Sequence, residues 1–169
     1  MNTRSRSAAR WLPGIALAAS FTVAGAAHWT EREGTFEGYW DVSGTVHIIE
    51  MGDLGVAAAG GHTGTVTIQS SEGPVRAFET DCVSFADEQA SGGRCVWTDP
   101  MGDLIFVTLQ GTGLAGLGST RGTLMGGTGH YEGIEGSFAF DWNYNVSSGQ
   151  DATFNGYTLA MRGSYRKPR

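Results

Sequence analysis

The sequence predicts an all-β fold, a closed eight-stranded antiparallel barrel behind an N-terminal signal peptide. Three observations predict it. Glycine makes up 27 of 169 residues, about twice its usual share of roughly 7%, and charged residues only 17%. Eight stretches alternate apolar and polar residues, or form short apolar blocks, between clusters of turn-forming residues. Beyond the leader, no stretch keeps a helical period of comparable length. Closure suits such a chain because it leaves no exposed sheet edge. A two-sheet sandwich is the alternative arrangement of the same strands.

The first 27 residues divide as a secretory signal does. Arg4, Arg6 and Arg10 form a positive start, residues 11–23 an apolar run, and Ala24-Gly25-Ala26-Ala27 a small-residue cleavage site. Cleavage is expected after Ala26 or Ala27, leaving residues 28–169 as a single barrel domain, secreted or periplasmic. The competing reading is an uncleaved anchor. Its run is short of the roughly 20 residues a span needs and is interrupted by Pro13 and Gly14. No stable membrane span is expected after cleavage.

The first strand, residues 36–51, is the clearest, with Phe36, Gly38, Trp40, Val42, Gly44, Val46 and Ile48 on one face. Residues 52–61, rich in glycine and alanine, read as a connection. The second strand covers 63–69 and carries Val66 and Ile68 inward. A turn at 72–74 leads to the third, 75–85, and the fourth and fifth follow at 93–98 and 104–110. Gly111, Gly113, Gly116 and Gly118 mark another connection before the sixth, 120–125. The seventh, 137–146, places Phe138, Phe140, Trp142 and Tyr144 on one side, and the eighth covers 153–165.

Cys82 and Cys95 are expected to form a disulfide, the default in an exported chain. The residues between them read as a polar loop, whose closure stabilises the fold by roughly 3 kcal/mol in the chain-entropy account. C-x-x-C redox spacing is lacking, and so is a zinc-type histidine spacing. Metal ligands and cofactors are therefore not expected. The single exception is His28, which cleavage after Ala27 turns into a copper-chelating N-terminus.

Between the sixth and seventh strands lies Gly126-Gly127-Thr128-Gly129-His130-Tyr131-Glu132-Gly133-Ile134-Glu135-Gly136, with five glycines in eleven residues. Such a cluster marks a shaped turn that needs positive φ or close backbone approach. It resembles the GG-[ST]-G-x-[FY]-x-G-x-x-G turn of allene oxide cyclases and the GGTG turn of plant dirigent proteins. The match is close over residues 124–138, with Gly126, Gly127, Gly129, Tyr131 and Gly136 as its structural positions. The resemblance implies a small calycin-like barrel around an apolar ligand, homo-oligomers, and mild cyclisation or isomerisation chemistry. It carries over no catalytic residue.

The formal charge of −6, about −9 without the leader, excludes a nucleic-acid partner, which needs clustered lysine and arginine. Arg166, Lys167 and Arg169 read as a solvated tail. Trp40, Phe106, Phe138, Phe140, Trp142 and Tyr144 are the candidate walls of a ligand site, each also fit for ordinary core. Glu79, Asp81 and Glu50 are the candidate acids, catalytic only where they point into the lumen. The expected function is binding of a small hydrophobic molecule. The alternatives are a cyclase or isomerase of allene oxide cyclase or dirigent type, without metal or nucleotide, acting on a lipid-like, terpenoid or phenolic substrate, and a structural barrel filled by its own side chains.

Overall fold

The computed structural model describes residues 32–71, 73–114 and 116–168. The expected signal peptide and its cleavage site lie outside the described residues. What is described is one closed barrel of eight antiparallel strands, each paired with its neighbour in sequence and the last with the first. The strands are β1 (Glu33–Glu50), β2 (Val56–Ser70), β3 (Val75–Asp87), β4 (Ser91–Thr98), β5 (Leu104–Leu114), β6 (Leu117–Gly127), β7 (Glu135–Val146) and β8 (Asp151–Arg166). Among these residues, no helix is long and apolar enough to cross a membrane.

Two stretches expected to be connections are strand. Residues 56–61 belong to β2 and pair with both β1 and β3, while β5 and β6 extend to Leu114 and back from Leu117. Small residues carry no hydrophobic alternation, yet their backbone bonds complete the ladder.

The lumen divides into a filled half and an open half. Around the turns β2–β3, β4–β5 and β6–β7 it is packed with Phe36, Ile68, Phe78, Trp97, Ile105, Leu124, Phe138 and Met161, all buried. The glycine-rich turn closes that end. Gly129 and Gly133 adopt φ of 51° and 69°, a region costly for residues bearing a β-carbon. That path folds Tyr131 back under the barrel, where its ring meets Phe78 at 5.7 Å and its hydroxyl donates to Asp99. Thr128 Oγ1 accepts the Leu104 N–H, tying the turn to β5.

Cys82 and Cys95 form the disulfide, directly opposite each other across β3 and β4 and buried on the inner face. The polar loop expected between them shrinks to residues 88–90, because β3 and β4 form a hairpin. A buried disulfide is compatible with an oxidising environment.

Candidate functional site

The open half of the lumen is a cavity of about 280 Å³ whose mouth lies at the β1–β2, β3–β4, β5–β6 and β7–β8 turns. Its two sides differ in residue size. One side carries a continuous arc of rings from β7 through β8 and β1 to β2. Trp142 stacks on Tyr144 at 4.7 Å and Tyr144 on Phe154 at 5.4 Å. Phe154 meets His62, and His62 meets Trp40, each at 5.8 Å, and Trp40 meets Phe140 edge-on at 5.9 Å. The facing side, from β3 to β6, offers mostly small residues, Ser84, Ala86, Ser91, Gly92 and Gly113, with Phe85 and Leu109 among them. Large rings on one wall and small residues on the other leave the middle open. The stretches of β2, β5 and β6 that carry alanine and glycine are the reason a cavity exists.

Trp40 is the floor. Its indole N–H donates to Thr80 Oγ1 at 3.0 Å, and its backbone N–H, displaced from the ladder by a bulge between Gly38 and Asp41, donates to Thr158 Oγ1 at 2.9 Å. Both polar hydrogens of the residue are thus satisfied within the protein, which lets the ring face an apolar space without a desolvation cost. Trp142 is held similarly, its Nε1–H donating to Thr120 Oγ1 at 3.1 Å.

His62 is the odd member of the arc. It is 8% exposed, lines the cavity, and its Nδ1 is buried with no hydrogen-bond partner. Burial lowers its pKa to about 4, the nearby Asp81 carboxylate opposing the shift, so the imidazole is neutral at ordinary pH. Burial likewise raises the pKa of the Tyr144 hydroxyl, which stays protonated. Among the described residues, the cavity wall contains no carboxylate, lysine or arginine. His62 approaches the disulfide: its ring nitrogen and the two sulfurs lie within 4.8 Å of one another, a grouping of metal-ligand types whose thiols are consumed in the S–S bond.

Of the residues singled out from sequence, Trp40, Phe140, Trp142 and Tyr144 meet on the cavity wall. Phe138 is inward but deeper, packed on Phe36 and Trp97 in the filled half. Phe106 is on the outside, 40% exposed, because β5 turns Ile105, Val107 and Leu109 inward. Glu79 and Asp81 are exposed on the outer face of β3, whose inward positions are Arg76, Phe78, Thr80 and Cys82. Glu50 is exposed at the end of β1, beside the mouth but off the wall. None of the three acids reaches the lumen.

His62 and Phe154 were not among the residues expected there. His62 carries a signal: it shares the even parity of Val66 and Ile68, and continuing that inner face backward through Gly64 reaches it. Compared with protein-family models, curated proteins and solved structures, the chain matches none.

Proposed function

We propose that this protein is an exported barrel that binds a small hydrophobic molecule in its lumen, in the secreted or periplasmic space. The observation that carries the reading is an apolar cavity walled by six aromatic rings on one side and mostly by small residues on the other. An engineered cavity of about 150 Å³ accepts one benzene ring, so 280 Å³ suits a guest of about two rings. Largely preformed apolar pockets with few convergent polar groups are the usual form of small-molecule sites.

The structural-barrel reading requires a lumen filled by its own side chains, and the small residues of β2 to β6 argue against it. The cyclase or isomerase reading requires an acid or base against the guest. The carboxylates considered for that work lie outside, and the titratable wall groups are a neutral imidazole and a protonated phenol. Binding without transformation is therefore favoured. The turn that resembles those of allene oxide cyclases and dirigent proteins serves here to close the barrel end.

Native mass spectrometry of protein purified from its own host tests this. A retained organic molecule of one copy per chain supports the reading. Protein that is ligand-free, and that also fails to take up neutral two-ring molecules offered in excess, contradicts it.

A further inference from the structure

We propose that His62 is the polar anchor of the lumen, and that the guest is a flat, neutral, largely apolar molecule carrying one hydrogen-bonding group, a carbonyl or hydroxyl, at its inner end. The inference rests on the binding reading above and adds the chemical class of the guest.

The argument starts from hydrogen-bond accounting. Buried polar side-chain atoms almost always have partners, and one without a partner costs on the order of 1–3 kcal/mol. Trp40 and Trp142 satisfy their ring nitrogens on Thr80 and Thr120, while the buried indole nitrogen of Trp97, in the filled half, has no partner. His62 Nδ1 has no partner either, and of these two unpartnered rings His62 is the one on the cavity wall, against Trp40. Gly44 stands opposite His62 on β1, where a β-carbon would come within 2.3 Å of the Gly61 carbonyl oxygen and 2.6 Å of the histidine Cβ. Because His62 lines the cavity and Trp97 does not, the imidazole is a polar ring that a group bound in the lumen can meet.

The guest's charge follows from the same wall. Among the described residues, a carboxylate entering the cavity finds no lysine or arginine on the wall and an imidazole that burial keeps uncharged. Burying an unpaired charge is far more costly than burying a bonded carbonyl. Flatness follows from the arc of rings, whose faces reward stacking by a planar or unsaturated partner.

Three probes on one scaffold separate these statements: 2-ethylnaphthalene, 2-acetonaphthone and 2-naphthoate, titrated into the full protein by calorimetry. The wild type should bind the ketone and the hydrocarbon and bind the carboxylate at least tenfold more weakly than the ketone. In His62→Phe the ketone-to-hydrocarbon affinity ratio should fall by about threefold to tenfold, the weight of one buried neutral hydrogen bond. In the wild type the His62 imidazole ¹⁵N resonances should move with the ketone and stay in place with the hydrocarbon, a readout that does not depend on the variant folding. Binding of both neutral probes with an unmoved imidazole and an unchanged ratio overturns the anchor while leaving the lumen as a binding site. Carboxylate binding as tight as the ketone overturns the neutral-guest assignment. Binding of none of the three overturns the lumen reading and this inference with it.

Discussion

The indole Nε1 of Trp40 on β1 donates to Thr80 Oγ1 on β3, 3.0 Å away, across a strand that neither belongs to. The bond spans the lumen wall and fixes the floor of the cavity. Replacing Thr80 by valine keeps the shape and leaves a buried N–H unpaired, which costs about 1–3 kcal/mol. Thr80→Ser keeps the hydroxyl and should recover most of that loss. Urea unfolding of the two variants side by side checks the order; equal stabilities would mean that the bond has no part in holding the floor.

Gly118 is the seat of Trp142, a ring of the aromatic arc. A β-carbon there would come within 2.3 Å of the Trp142 ring and 2.4 Å of the Thr112 carbonyl oxygen. Gly118→Ala should therefore destabilise by about 1–3 kcal/mol, as overpacked sites do. Since the backbone cannot yield easily, Trp142 should also leave its place and intrude on the cavity. A lower midpoint together with a changed tryptophan emission is the expected pair of results.

The buried imidazole makes stability depend on pH with a definite sign. Unfolded, the ring takes its proton below about pH 6.5; folded, His62 takes it only below about 4. Between these values the unfolded chain holds the extra proton, so stability should decline as pH falls from 6.5 to 4, by up to about 3 kcal/mol, and this contribution should level off below that. Asp87 acts in a lower window: bonds from the Ala90 and Gln89 N–H groups hold its carboxyl below the usual range, so its contribution is complete above about pH 4 and is lost beneath. Unfolding at pH 7, 5 and 4 should show a shallower decline for His62→Gln than for wild type. Parallel profiles would mean that the imidazole does not stay neutral.

How much of this was legible in the sequence depends on side-chain size. Alternation in β1 and β7 put Trp40, Phe140, Trp142 and Tyr144 on the inward face, where they lie, because large apolar residues recur at every second position there. The alanine and glycine of β2, β5 and β6 read as loop, because absence of bulk looks the same in a turn and beside a cavity. In β3 both faces carry apolar residues, Val75, Val83 and Phe85 outside and Phe78 and Cys82 inside, so periodicity alone did not orient Glu79 and Asp81. The inward disulfide orients that strand. Cys95 opposite Cys82 fixes the parity of β4 as well.

Filling the small-residue side should separate binding from folding. Ala58 on β2 and Ala86 on β3 pair across the two strands and both line the cavity. Ala58→Phe with Ala86→Leu should occupy the space, abolish uptake of a two-ring probe and leave the midpoint within a few degrees of wild type or above it, since the added groups enter open volume. Glu79→Gln and Asp81→Asn, on the outer face, should leave probe affinity within about twofold, as expected for surface changes of small energetic effect. Loss of binding in the outer variants would relocate the site.

The most direct measurement is a fluorescence titration of the wild-type protein with N-phenyl-1-naphthylamine, a neutral aromatic amine, alongside the filled double variant. The lumen account predicts saturable uptake of one probe per chain, quenching of the cavity tryptophans Trp40 and Trp142, and no uptake by the variant. Non-saturating binding, or equal binding by the filled variant, would contradict it.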